Sequence, residues 1–343
     1  MQVVSIEAAV GHALAHDITE IRPGEFKGAA FERGHILRED DLEHLRRLGK
    51  DHLYILKQES NEMHEDEAAE RIARAICGEG VGWEGRPKEG KISLKATRDG
   101  LFTVAVDTLT RFNEMGDLMC ATRHTHCVVK KGEKVAGTRA IPLVINAKRV
   151  HKAVRIAERA EAGVLRVLPL KKASVGVMIT GNEVYYGRIE DRFEPIIRKK
   201  VAGLDGTVLG VRFLPDDDRQ IADAALDLVE KGADILITTG GMSVDPDDRT
   251  RFGLKKAGAR KLLYGSAVLP GAMFMVADLK GVPVLGIPAC GLFAQATVFD
   301  LVYPRILAGE RMTRKNLAKL GHGGLCLRCT PCRYPDCSFG KSF

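Results

Sequence analysis

The stretch 235–248, Ile-Leu-Ile-Thr-Thr-Gly-Gly-Met-Ser-Val-Asp-Pro-Asp-Asp, constrains the fold of this chain more than any other segment. An apolar run leads into two threonines, a Gly-Gly pair, a serine and a cluster of carboxylates. Glycines let a backbone approach a ligand closely and take conformations that a Cβ forbids. Amides and hydroxyls in such a turn can hold an oxyanion, and the carboxylates can hold a hard cation. The stretch therefore predicts a loop for a phosphorylated or oxyanionic ligand at the carboxyl end of a parallel strand.

The surrounding pattern agrees. From residue 173 onward, apolar strand-like segments at 175–179, 207–211, 235–237 and 284–287 alternate with helical spacing at 195–201, 218–230, 249–257 and 292–307. Proline in the first turn opens the helix at 195, an acidic cap opens the one at 218, and Gly258 closes the one before it. Near-continuous apolar strands alternating with helices predict an α/β fold with a mainly parallel sheet covered on both faces. Residues 1–60 read as a small α+β module, with a strand at 3–6, an amphipathic piece at 7–15, a turn at Arg22-Pro23-Gly24-Glu25, a helix at 40–48 and a strand at 52–56. Residues 61–150 read as a β-rich module. A helix at 62–77 and a loop at 78–90 precede short strands at 92–96, 103–106, 126–129, 134–136 and 142–145. A further helix, 148–162, leads into the α/β domain at 172–310, and residues 311–343 form a cysteine-rich tail.

The 343 residues carry a net charge of +7, spread along the chain, with denser basic spots at Arg198-Lys199-Lys200, Lys255-Lys256 and 311–319. Solvated helix faces account for most of this, and the field also favours an anionic small molecule. Aromatics are few and not interleaved with the basic residues, which argues against a nucleic-acid partner. No apolar run approaches the roughly 20 residues of a membrane span, so no membrane partner is expected. The first residues lack a basic segment followed by an apolar core, so a cytoplasmic location is expected. There is no GxxxxGK[ST] phosphate loop and no GxGxxG opening a helix, which disfavours P-loop hydrolysis and dinucleotide redox chemistry.

Three loops follow three of the expected strands: Thr180-Gly181-Asn182-Glu183, Thr238-Thr239-Gly240-Gly241-Met242-Ser243 continuing to Asp248, and Pro288-Ala289-Cys290-Gly291. If those strands are parallel, all three loops emerge at one edge of the sheet. Together with Asp216-Asp217-Asp218 and Leu269-Pro270-Gly271, they resemble in order and spacing the molybdopterin-binding domain shared by the MoeA, MogA and gephyrin families of molybdenum cofactor biosynthesis. The opening of the chain, from Glu7 to Asp17 and then Pro23-Gly24, looks like the start of a MoeA-type chain.

The resemblance implies a three-layer α/β/α domain that binds molybdopterin or adenylyl-molybdopterin. By position, Glu183 and Asp248 match the family's carboxylates for Mg²⁺ and molybdate or nucleotide chemistry. Thr180, Gly181, Asn182, Thr239, Gly240, Gly241, Ser243, Pro270, Gly271 and Pro288 match its ligand-facing loops. Relatives are often oligomeric, so a homo-oligomer is expected, together with a molybdoenzyme client. The chain departs from the pattern where Ala272-Met273 follow Pro270-Gly271 in place of a lysine turn, where Pro288-Ala289-Cys290-Gly291 replaces an LPGNP-like loop, and where Asp245 stands in place of a glycine. Losing the lysine removes a cation that would face phosphate or molybdate. Plainer readings stand beside these: Asp248 as a helix N-cap, Asp216–Asp218 as cap and turn, Glu183 as a solvated carboxylate, and Cys290 as a small packed residue.

The tail carries Cys326, Cys329, Cys332 and Cys337. Their spacing suits thiolate coordination of zinc or an iron–sulfur cluster. His124 and His126 flank Thr125 just before Cys127, a group that can bind metal but is more often a surface feature. The expected function is binding of molybdopterin in the biosynthesis, modification or delivery of the molybdenum cofactor, including molybdate insertion. The alternatives are a non-catalytic carrier or sensor with a metal-binding tail, and a competence-damage-type nucleotide hydrolase of the same fold.

Overall fold

The computed structural model describes residues 2–55, 61–242, 245, 246 and 248–341. The chain divides into two compact units. One comprises Met1–Arg98, Val104–Arg123 and Lys131–Val167; the other comprises Asp99–Thr103, His124–Lys130 and Leu168–Phe343.

In the first unit, Gln2–Ser5 pairs antiparallel with His52–Ile55, and Ile18–Arg22 with Phe26–Phe31. The Arg22-Pro23-Gly24-Glu25 turn closes the second pair. Ile6, Leu14, Ile18, Leu37, Leu45 and Leu53 form a common core with the helix Asp41–Arg47. The segment 7–15 forms turns and isolated bridges rather than an amphipathic piece. A four-stranded antiparallel sheet follows, in the order Val81–Gly82, Lys91–Ala96, Lys134–Ala140, Leu118–Thr122. Lys91–Ala96 buries alternate residues, as the period of a half-covered strand requires.

The helix expected over 62–77 begins only at Glu65, because Glu62–His64 pairs with Val144–Asn146 as a strand. The His64 ring then caps the helix by accepting from the Asp66 amide. A helix at Val106–Asn113 stands where the sequence suggests the end of a strand.

The second unit contains the α/β sheet. Its strands are β1 (Ser174–Thr180), β2 (Thr207–Leu214), β3 (Ile235–Thr239), β4 (Arg260–Tyr264), β5 (Met275–Leu279) and β6 (Val282–Ile287). They lie in the order β2-β1-β3-β6-β5-β4. The first four are parallel, and β5 pairs antiparallel with both β6 and β4. This is the mixed α/β fold with a mainly parallel sheet that the periodicity suggests.

The helices are α1 (Asn182–Tyr185), α2 (Phe193–Ala202), α3 (Asp218–Glu230), α4 (Thr250–Lys256), α5 (Val298–Leu307) and α6 (Arg314–Lys319). Alternate strand residues face two separate cores. Val175, Val177, Ile179, Ile235, Ile237, Leu285 and Ile287 pack with Ile197 and Val201 of α2 and Phe299 and Val302 of α5. Met178, Leu236 and Val284 pack on the other side with Ile221 and Leu228 of α3 and Leu254 of α4. Each fully buried aliphatic side chain contributes about 1.5–3 kcal/mol relative to exposure. The period-two split of apolar residues is therefore what makes three layers.

Two features differ from the sequence expectation. The helix expected over 292–307 starts at Val298. The Thr297 hydroxyl accepts from the Phe299 amide while the Asp300 carboxylate accepts from the Thr297 amide, a reciprocal cap that starts a helix at this point. Residues Ala289–Leu292 instead form a short 3₁₀ turn, and Phe293 is left exposed. Strands β4 and β5 were not expected. The hairpin between β5 and β6 turns on Lys280 and Gly281, both at positive φ, the two-residue turn that matches strand twist.

Candidate functional site at the carboxyl edge of the sheet

Strands β1, β3 and β6 are neighbours and parallel, with Ile179 opposite Thr239 and Thr239 opposite Ile287. The next residue of each strand or loop is Thr180, Gly240 and Pro288. The register thus brings the three expected loops to one edge, beside the loop after β2.

Thr180 is buried, and its Oγ1 donates to the Thr239 carbonyl at 2.9 Å. The Thr250 hydroxyl lies 2.7 Å from it and 3.1 Å from the Gly240 carbonyl. The Thr250 amide donates to the Gly241 carbonyl at 3.2 Å. These bonds tie the loop after β3 to the end of β1 and the start of α4. Gly240 sits at φ +77°, and a Cβ there would lie 2.0 Å from the Thr180 carbonyl oxygen. At Gly241 a Cβ would lie 2.4 Å from Thr250 Oγ1. The Gly-Gly pair is therefore required by backbone contact as well as by conformation. Thr239 is fully buried, and its hydroxyl finds no hydrogen-bond partner among the described residues. Ser243 lies outside the described residues.

The loop after β1 is coupled to the loop after β2. The Asn182 amide donates to Asp216 Oδ2 at 3.0 Å, and the Asp216 amide donates to Asn182 Oδ1 at 3.2 Å. The neighbouring aspartates are structural. Asp217 caps α3 by accepting from the Arg219 and Gln220 amides, and the bond from Gln220 leads in lowering its pKa. Asp218 forms a two-pronged ion pair with Arg249 at 2.9 and 2.6 Å.

Glu183 is exposed, with its carboxylate folded back over Gly181, where a Cβ would meet Oε1 at 2.7 Å. The Asp248 carboxylate accepts from the Asp245 amide at 3.0 Å, closing a local turn. Arg249, not Asp248, occupies the N-cap position of α4. Pro270 and Gly271 lie against the start of α5, where the Val298 amide donates to the Pro270 carbonyl at 3.3 Å. Gly271 would place a Cβ 2.4 Å from the Val298 side chain. Cys290 is half-buried in the 3₁₀ turn after Pro288, and burial raises its thiol pKa.

No group of three His, Cys, Asp or Glu side chains among the described residues is gathered to hold one metal ion. Glu183 and Asp248 thus stand apart from any ready-made cation cage. The tail cysteines line a separate cavity of about 540 Å³, together with Cys290 and Pro270. Thr250, and the pairing of Asn182 with Asp216, are the features of the rim that sequence reasoning missed. A threonine opening a helix carries no distinguishing signal, and a reciprocal amide pair across 34 positions in sequence leaves none either.

A second cavity of about 280 Å³ is lined by His124, His126, Cys127, Lys200, Asp300 and Tyr334. Burial pushes the His126 pKa down to about 4, with Arg305 adding to the depression and Glu310 opposing it. A histidine held neutral in the folded state contributes stability that is complete above its ordinary value of 6.5. That contribution is lost as pH falls through the window from 6.5 to about 4, where only the unfolded chain takes up the proton. Urea titrations at pH 7, 5.5 and 4.5 are expected to show a loss of stability that His126→Gln makes smaller. Parallel pH profiles for the two proteins would contradict this.

Residues 176–308 match the family described as the probable molybdopterin binding domain, and residues 3–57 match a domain of unknown function. A molybdopterin molybdenumtransferase of Haemophilus influenzae is 28% identical over 165 residues, covering 46% of this chain and 40% of that protein. A CinA-like protein of Thermosipho melanesiensis is 33% identical over 88 residues, covering 26% of this chain and 22% of that protein. The chain thus spans well under half the length of these curated relatives. The solved structure of the molybdopterin biosynthesis enzyme MoaB from Thermus thermophilus aligns at 20% identity with a TM-score of 0.35, over 41% of this chain and 99% of that one. No helix of the described residues is long and apolar enough to cross a membrane.

Proposed function

We propose, from the premise that residues 176–308 belong to the molybdopterin-binding family of cofactor-biosynthesis domains, that this chain binds molybdopterin at the edge formed by Thr180, Gly240 and Pro288. The observation that carries the reading is the contact of Gly240 with the Thr180 carbonyl, which leaves no room for any side chain at the turn. It joins the ends of two parallel strands into one rim of backbone groups suited to a phosphate. Gly181, Asn182, Thr239, Gly241, Pro270 and Gly271 belong to the same proposed rim.

Molybdate insertion into molybdopterin or its adenylyl form is the finer reading. In it, Glu183 and Asp248 would hold Mg²⁺, which would supply neutralisation of charge and polarisation of the reacting group. The two carboxylates would come to the ion from separate loops, Asp248 giving up the bond from the Asp245 amide. Loss of a cation worth several kcal/mol corresponds to about a hundredfold or more in rate. A Glu183→Gln, Asp248→Asn double variant is therefore expected to retain pterin, followed by its fluorescence, while insertion slows by about that factor. An unchanged insertion rate would remove both carboxylates from the mechanism.

The second reading, a non-catalytic carrier, is favoured by one observation: Ala272 follows Pro270-Gly271, so the turn supplies no cation to an incoming oxyanion. A carrier retains pterin without consuming nucleotide. The same assay on the unmodified protein separates the two.

A further inference from the structure

The four tail cysteines and Cys290 line one cavity, which borders the proposed rim at Pro270 and at the turn after Pro288. Cys290, Cys326, Cys329, Cys332 and Cys337 are free thiols. The tail that carries four of them is held by the protein itself. The Cys326 amide donates to the Leu269 carbonyl at 2.8 Å, and the Gly340 amide to the Gly323 carbonyl at 2.9 Å. The Tyr334 hydroxyl donates to the Asp300 carbonyl at 3.2 Å, and Phe339 is 3% exposed within the core shared by α2 and α5. The walls of the cavity are therefore anchored before any ligand enters.

The spacing of the cysteines along the chain, together with the volume they line, discriminates between ligands. Zinc–thiolate bonds of about 2.3 Å would draw four sulfurs to within roughly 4 Å of one another. All five cysteines line a space of about 540 Å³. A polynuclear centre needs sulfurs set around a volume rather than around a point. The Cys326-x-x-Cys329-x-x-Cys332 run, followed by Cys337, matches the way a chain wraps an iron–sulfur cube. Arg328 and Arg333 line the same cavity, and their charge complements the net negative charge of a thiolate-ligated cluster.

We propose that Cys326, Cys329, Cys332 and Cys337 ligate a [4Fe–4S] cluster in this cavity, with Cys290 as a bordering thiol rather than a ligand. Each ligating thiol releases its proton as the iron–sulfur bond forms. The cluster would lie beside Pro270 and the turn after Pro288, both of which face the cavity. This inference goes beyond molybdopterin binding and stands without it.

The test is anaerobic reconstitution of the full chain with equal amounts of ferrous and ferric iron and with sulfide, which supply the two Fe²⁺, two Fe³⁺ and four S²⁻ of the cluster core, with zinc alone in a parallel sample. The expected result is about four irons and four acid-labile sulfides per chain, with the visible absorption of a cluster. Cys329→Ser and Cys332→Ser are expected to lose that iron, and Cys290→Ser to keep it. Cys329 is exposed, so its variant is expected to fold, which circular dichroism checks. Retention of one zinc and no iron would overturn the proposal, as would no retention of either metal. Loss of the cluster in Cys290→Ser would overturn the ligand assignment. Pterin retention measured on the same samples reports the phosphate rim separately, so failure of one reading is not failure of the other.

Discussion

Gly240→Ala is expected to abolish pterin retention and to cost about 3 kcal/mol or more of folding stability. Two penalties combine. The residue sits at φ +77°, and the added carbon would lie 2.0 Å from the Thr180 carbonyl oxygen. That oxygen belongs to the backbone of a buried central strand and cannot swing aside as a side chain can. Relief requires the loop after β3 to separate from β1, which breaks the rim itself. Gly232→Ala is the matched control, with φ +91° and nothing within 4 Å. It should cost only the left-handed conformational penalty of about 1–2 kcal/mol and leave pterin retention intact. Denaturation midpoints and pterin fluorescence of both variants decide the matter. Similar losses in the two would mean that the contact with Thr180 carries no weight.

Phe299→Ala is expected to lower stability by about 3–5 kcal/mol, the range for removing a large aromatic from a packed core. Phe299 is 1% exposed and stacks on Tyr303 at 4.9 Å between ring centres. It lies in the first turn of α5, next to Val298, whose amide and side chain meet Pro270 and Gly271. The cavity left by the ring would loosen the seat of that turn as well as the layer of the core that α5 shares with α2. Phe293, six residues earlier, is 89% exposed. Its replacement by alanine should change stability by no more than about 0.5 kcal/mol. Urea midpoints at an unchanged denaturant slope are the measure, and a cost below about 1 kcal/mol for Phe299→Ala would show that the core is not cooperative at this point.

Much of the α/β domain was legible before any coordinates. The apolar runs that became β1, β3 and β6 are largely buried, as strands covered on both faces of a mainly parallel sheet are. Helix α3 was expected over 218–230 and forms there, because Asp217 caps it and its apolar residues recur at helical spacing. Strand β5 was hidden because the two-residue turn at Lys280 and Gly281 looks like an ordinary polar break. The start of α5 was misplaced because apolar spacing continues upstream of Thr297, whereas the reciprocal cap with Asp300 begins the helix there. In the first unit, pairing of Glu62–His64 with Val144–Asn146 overrode a helical pattern that extends through those residues.

The site divides in the same way. The glycines, hydroxyls and carboxylates of the rim could be named from the chain alone, since residue type and position after a strand are local properties. Asp248 closing a turn on Asp245, Asp218 pairing with Arg249, and Thr250 lying against Thr180 could not, because each depends on which loops the sheet order makes neighbours. The sequence by itself determined that a sheet would present glycine-rich turns at the carboxyl ends of its strands, and that four thiols would travel together at 326–337. Only the tertiary structure decided that Gly240 abuts Thr180 and that those four thiols share a cavity with Cys290. Side-chain periodicity is written every few residues along a chain, whereas contacts between distant segments exist only once strand register and helix packing have set the distance between them.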